Sequence, residues 1–169
     1  PADPAVRAVL AAYDRDVAAA NLARAKADPR SCPDPAPGEA RYVGGAACAA
    51  CHQAAHAFWR GTRHAHAFET LVAANKQYDL DCVRCHVTGW EAPGGACDVG
   101  QVEGREDVTC ESCHGAGSLH VAAPTEAKLP AQVPERTCLR CHTPENSTAF
   151  DYATYRARVI GPGHGAKAE

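Results

Sequence analysis

The sequence predicts a mainly α chain with few or no strands, ordered around something other than its own side chains. Three observations carry this. Alanine supplies 36 of the 169 residues, whereas Leu, Ile, Val and Phe together number 24, about 14%. So little bulky apolar surface is poorly matched to the entropy of ordering a backbone of this length. The third observation is the cysteines. Ten are present, and eight form C-x-x-C pairs: Cys48 and Cys51, Cys82 and Cys85, Cys110 and Cys113, Cys138 and Cys141. The next residue is histidine every time: His52, His86, His114 and His142. The apolar shortage alone would point to disorder, but a net charge of -3 lacks the charge signature of a disordered chain.

Two cysteines three apart on one helical turn can reach the two vinyl groups of a haem as thioethers. The histidine that follows then binds the iron. Four such motifs predict four covalently attached haems (heme c). Four large flat apolar bodies would supply the missing core, so the fold class is a compact multihaem cytochrome c, with helices and loops wrapped around four covalent haems. Zinc is the main alternative, since two C-x-x-C pairs can make a tetrahedral site. It does not require a histidine after all four pairs. A dithiol redox site is a weaker alternative, because no strand–helix context surrounds any pair.

The elements follow in order. Residues 1–28 read as an N-terminal helix: alanine is dense, Val6, Val9, Leu10, Tyr13, Val17 and Leu22 recur near helical spacing, and Asp28-Pro29 stops it. Residues 29–47 are a Pro- and Gly-rich loop. The stretch after Cys48 reads as two helices interrupted near Gly61. Residues 87–109 read as an irregular insertion and 115–137 as a loop. Residues 148–160 read as a final helix. The tail, 161–169, is flexible unless His164 anchors it. The haem-binding unit then spans 44–160, with its motif histidines 34, 28 and 28 residues apart. Cys32 and Cys97 are left over and are expected to join, closing a loop that ties the N-terminal segment to the insertion.

There is no methionine, so no iron can be His/Met ligated. Five histidines remain as sixth ligands: His56, His64, His66, His120 and His164. His64 and His120 lead. Gly115 and Gly117 let the chain turn away from the third motif, so that His120 faces a different iron. His56 shares a helical face with His52 and is a further iron-ligand candidate. His66 reads better as a propionate or solvent partner. A five-coordinate iron is expected at the second motif, if anywhere.

The segment CAACH…FWRGTRHAHA, with Cys48, Cys51, His52, Trp59, His64 and Ala67, resembles the first-haem region of the cytochrome c-554 family. VTCESCHGAGSLH is similar to that family's third-haem region. The resemblance covers roughly residues 44–145 and implies a mainly helical fold with closely packed haem pairs. It also implies that His120 serves the first haem, His64 the fourth and a histidine near position 56 the third, with the second five-coordinate. Related proteins accept electrons from hydroxylamine oxidoreductase.

These readings predict an exported electron carrier rather than an enzyme. It would relay electrons between redox partner proteins, a membrane or periplasmic oxidoreductase among them, from the periplasm or a cell-surface complex. The alternative is a small redox enzyme or ligand-binding cytochrome acting on nitrogen oxides, hydroxylamine or peroxide at a five-coordinate haem. Haem propionates would take the charge to about -7, favouring a basic docking partner. Arg60, Arg63, Arg84, Arg105, Arg136 and Arg140 are placed to pair with some of them. Nucleic acid is an unlikely partner for so acidic a chain. No apolar run approaches membrane-span length. The missing initiator methionine suggests a processed chain.

Overall fold

The computed structural model describes residues 3–164, and its regular structure is nearly all helical. The long N-terminal helix, α1 (Pro4–Ala27), starts and stops where the sequence signals. The Asp3 carboxylate accepts the Ala5 N–H at 2.7 Å, Pro4 fills the first turn, and Arg24 and Lys26 complement the dipole of the last. From Asp14 onward α1 is tied to the rest of the chain. Lys76 donates to Asp14 at 2.8 Å, the Asn21 amide donates to the Tyr78 carbonyl at 2.8 Å, and Arg24 grips Asp98 through two bonds of 3.0 Å. Val6, Val9, Leu10 and Tyr13, nearer its start, are exposed.

Eight short helices follow: α2 (Gly45–Ala49), α3 (Gln53–Arg60), α4 (Ala67–Ala73), α5 (Leu80–His86), α6 (Cys110–His114), α7 (Ser118–Ala122), α8 (Glu135–Cys138) and α9 (Tyr152–Ala157). The break between α3 and α4 falls at Gly61–Thr62, as expected, and is followed by a 3₁₀ turn, Arg63–His66. Two expectations need correction. The stretch 115–137 is not all loop, since α7 lies within it and carries His120. The final helix is shorter than 148–160, running only from Tyr152, where the Asp151 carboxylate caps it by accepting the Thr154 N–H, to Ala157.

The side-chain core is small. Leu71, Val83, Val87 and Val99 form it, with Phe68, Tyr78, Leu80, Trp90, Val102 and Ala25 packed around them. The segment 87–109 is irregular, as expected, with two isolated β-bridges, Val87 to Glu106 and Trp90 to Ala96. It is also the most buried part of the described chain, holding Ala96, Asp98 and Val99 almost wholly out of solvent. Elsewhere there is little core. The accessible surface is 10969 Å², against about 7,900 Å² for a typical folded chain of 17.7 kDa. The chain thus carries roughly 3,000 Å² more surface than a compact chain of its mass.

Cys32 and Cys97 are joined as expected, 65 residues apart. They pin the loop after α1 to the buried insertion. Replacing both by serine releases a loop whose closure is worth about 4 kcal/mol in the chain-entropy account. Chemical denaturation of the haem-loaded protein is expected to show a loss of that order. Asp98 makes the second tie. Burial would raise its pKa, but the Arg24 bonds and the Arg30 N–H hold it below the usual carboxylate value. A depressed folded pKa contributes stability that is complete above about pH 4 and is lost as pH falls through the folded value. Arg24→Ala is therefore expected to cost about 2–3 kcal/mol near pH 7, the lower end for breaking a buried pair because Arg24 is itself partly exposed. The difference from wild type should narrow in denaturation curves below pH 4.

Candidate haem-binding sites

All four CxxCH motifs lie on helical turns. The first begins in α2, and His52 closes its turn by donating its N–H to the Cys48 carbonyl at 2.9 Å before capping α3. The second lies at the end of α5 and the third is α6 itself. The fourth begins at the end of α8, where the His142 N–H donates to the Cys138 carbonyl at 2.9 Å. Residues three and four apart share a helix face, so each turn presents two thiols and one imidazole to the same side. None of the eight motif cysteines is in a disulfide.

The motifs adjoin one another. The Cys48 thiol contacts that of Cys110, and Cys141 contacts Cys85. Cys113 lies near Cys138 and Cys141. Motifs one, three, four and two are thus neighbours in that order. In the free thiols, the hydrogen bond from Cys48 draws Cys110 down to about 7, and burial pushes Cys113 up to about 11.

The histidines are oriented as metal ligands require. The Nδ1–H of His86 donates to the Ala67 carbonyl at 2.6 Å, that of His114 to the Pro130 carbonyl at 2.7 Å, and that of His120 to the Ala127 carbonyl at 3.0 Å. A carbonyl can only accept, so Nδ1 carries the proton and Nε2 keeps its lone pair. His142 Nδ1 is paired with the Ser147 hydroxyl at 3.1 Å.

Two histidine pairs face each other. The ring centroids of His52 and His120 are 6.1 Å apart, and those of His64 and His142 are 6.2 Å apart. Two imidazoles bound on opposite sides of one metal, each through nitrogen at about 2.0–2.1 Å, have centroids about 6 Å apart. Their interplanar angles, 24° and 47°, are both compatible, because each ring can turn about its metal–nitrogen axis. The pocket of the second pair is built from aromatic rings. Phe150 stacks on His142 at 4.8 Å and Tyr155 meets it edge-on. Burial lowers the pKa of His64, with His142 adding to the effect. Its backbone is fixed too: the His64 carbonyl accepts the Val108 N–H at 3.1 Å, and Trp59 Nε1 donates to the Val108 carbonyl at 2.9 Å.

The other histidines separate. Both ring nitrogens of His66 are engaged, by the Arg60 carbonyl at 3.0 Å and Glu69 at 3.2 Å, which leaves no lone pair for iron. His56 packs against Trp59 at 5.3 Å. His164 is carried by a segment laid on α3, where Gly161 approaches the Phe58 ring and Gly163 approaches Ala55 too closely for any larger side chain. The expected flexible tail is thus packed as far as His164; residues 165–169, like residues 1–2 of the first helix, lie outside the described residues. Among the described residues, neither His86 nor His114 makes a ring contact with another histidine. Arg105, one of the six arginines from which propionate partners were expected, donates to the Gly94 carbonyl at 2.7 Å and stacks over Tyr42. Among the described residues, no three His, Cys, Asp or Glu side chains converge as a metal cage.

Thioether-forming thiols on one turn, imidazoles with free Nε2 and histidine pairs spaced for a shared metal together fit haem. Residues 47–115 match the family described as "Cytochrome c554 and c-prime". Over this stretch, less than half of its length, the chain is similar to the cytochrome c-554 family. It is 34% identical over 94 residues to cytochrome c-554 of Nitrosomonas europaea, a stretch covering 47% of this chain and 40% of that protein's length. The fold is similar to the solved structure of the reduced state of cytochrome c554 from the same organism, with TM-score 0.53, 24% identity, and coverage of 70% of this chain and 82% of that one. The mainly helical class expected from the sequence holds, and the similarity agrees with motifs that fit covalently bound haem c.

Two hubs went unread in the sequence. Glu111, inside the third motif, is buried and bonded only to backbone N–H groups. The Thr88 hydroxyl joins the Asp107 carbonyl, the Thr109 hydroxyl and the Ser112 hydroxyl, all within 2.9 Å, and so locks the end of the second motif to the start of the third. A charged or polar residue beside a motif was the only available signal.

Proposed function

We propose that this chain is a periplasmic electron carrier that holds four c-type haems and passes electrons between redox partners. The facing pairs His52–His120 and His64–His142 carry the proposal. A bound haem c supplies a reversible one-electron iron couple. The chain supplies what makes that couple fast and low in potential. His52, His86, His114 and His142 are the motif ligands, and Cys48, Cys51, Cys82, Cys85, Cys110, Cys113, Cys138 and Cys141 are the attachment points. His120 completes the first site and His64 the fourth. With histidine on both sides, ligation need not change with oxidation state, and the absence of methionine keeps potentials low.

The third motif draws its partner from His56 or His164. These lie on adjoining segments, since Gly163 packs against Ala55. His164 is partly buried and lies within electrostatic reach of His114 and His52, which favours it. The contact order of the motif thiols, one–three–four–two, supports a continuous route across the molecule.

Among the described residues no helix is long and apolar enough to cross a membrane. Docking would be to redox proteins, a membrane or periplasmic oxidoreductase among them. Arg60, Arg63, Arg84 and Arg136 make no ion pair among the described residues and are available to propionates. The acidic balance of the loaded protein favours a basic partner surface.

A second reading rests on His86. Its Nδ1 is anchored but no other imidazole contacts it among the described residues, so the second site could admit a small ligand such as nitric oxide.

Electron paramagnetic resonance of the oxidised protein tests the assignments. His120→Ala and His64→Ala are each expected to convert one low-spin iron to high-spin, His66→Ala none, and one of His56→Ala and His164→Ala a third. Unchanged spectra in both His120→Ala and His64→Ala would remove the ligation scheme. A reduced protein that binds no nitric oxide would remove the second reading.

A further inference from the structure

The Glu111 side chain sits between the two cysteines of the third motif, and the residue is 3% exposed. Its carboxylate accepts four backbone hydrogen bonds. Oε1 takes the Gly117 N–H at 2.8 Å and the Val43 N–H at 3.0 Å; Oε2 takes the Gly44 N–H at 2.8 Å and the Val43 N–H at 3.2 Å. No cation pairs with it among the described residues. Burying an unpaired carboxylate is costly, and only dense hydrogen bonding offsets it.

The donors belong to two segments that serve one site. Val43 and Gly44 lead directly into α2, which begins the turn ending at His52. Gly117 is the N-cap of α7, which carries His120. One carboxylate on α6 therefore holds both the segment leading to His52 and the segment leading to His120. The same two segments are zipped a residue further out, where the Arg41 N–H donates to the Ser118 hydroxyl at 2.8 Å and the Ser118 N–H donates to the Arg41 carbonyl at 3.1 Å. Space is equally tight: a Cβ on Gly117 would lie 3.3 Å from Glu111 Oε1 and 3.4 Å from Val43 Cγ2.

We infer that Glu111 is a positioning residue for the first haem site, its buried carboxylate setting His52 and His120 face to face across the iron. This rests on the proposed His52–His120 ligation. The charge state matters and not only the shape. A carboxylate offers acceptors on both oxygens to N–H groups arriving from opposite sides. The isosteric amide of Gln turns one of them into a donor and sets N–H against N–H. Its lost bond would fall on the α2 entry or on the α7 N-cap, and either loosens one side of the pair.

The test uses haem-loaded Glu111→Gln, with His120→Ala as the reference. Glu111→Gln is expected to add a high-spin ferric signal of up to one iron per chain, leave the His64–His142 signal unchanged, and raise the midpoint potential of one haem as the nearby negative charge is removed. The double variant should show no more high-spin iron than His120→Ala alone. If Glu111→Gln yields no loaded protein, Glu111→Asp keeps the charge but withdraws the carboxylate by one methylene and is expected to give the same signal. A loaded Gln or Asp variant with the wild-type low-spin count and potentials would overturn the inference while leaving the ligation intact. No spectral change in His120→Ala would overturn both.

Discussion

The helical turn of the CxxCH motif is the constraint from which the rest of the structure follows. Spacing of three and four residues puts two thiols and an imidazole on one face, and that face must be left uncovered by side chains. The chain repeats this four times in 169 residues. Its other elements are accordingly short, because each helix need only present one turn. Its apolar core is confined to the region around Leu71, Val83, Val87 and Val99, against the second motif. The disulfide and the Arg24–Asp98 pair secure this same corner to α1. A conventional protein core thus occupies one region of the molecule, and cofactor-built packing would account for the remainder.

Hydrogen bonds from backbone to side chain do the orienting work that packing does elsewhere. Four imidazoles or carboxylates illustrate it: His86, His114 and His120 each spend Nδ1–H on a carbonyl, and Glu111 spends its lone pairs on N–H groups. Such bonds are directional, and in the low-dielectric interior they are strong. They also use loop backbone that would otherwise need water. Of the carbonyls that receive imidazole protons, those of Pro130 and Ala127 lie outside any regular helix, and that of Ala67 is on the first residue of α4. Irregular structure is therefore functional here, supplying acceptors that a continuous helix would have consumed internally.

What could be read from the sequence was what is local. The motifs, the limits of α1, the break at Gly61–Thr62 and the leftover cysteine pair each depend on residues close together or on simple parity. The burial of 87–109 was not legible, because its glycines and acids look like those of a solvent loop; Asp98 is buried only because Arg24, 74 residues away, reaches it. Helix α7 was hidden by the prolines around it and has just five residues. Glu111 looked like a surface acid in a C-E-S-C-H string. Its role depends on Val43 and Gly117 arriving from two directions.

The distal histidines show why such sites resist local reading. His52 and His120 are 68 residues apart, and His64 and His142 are 78 apart. Closing loops of that length costs conformational entropy before any contact returns it. Two neutral imidazoles 6 Å apart have no attraction sufficient to offset that cost, so the pairing must be enforced by their surroundings. The structure shows the enforcement at the first pair, in the Glu111 carboxylate and the Arg41–Ser118 bonds, and at the fourth, in Trp59, Val108 and the Phe150 and Tyr155 rings. The polypeptide holds these histidines apart at a metal-bridging distance using groups that are not themselves ligands. If the pairs hold iron as proposed, a ligand set prepared in this way would leave less reorganisation to be made on a change of oxidation state, as an electron relay requires.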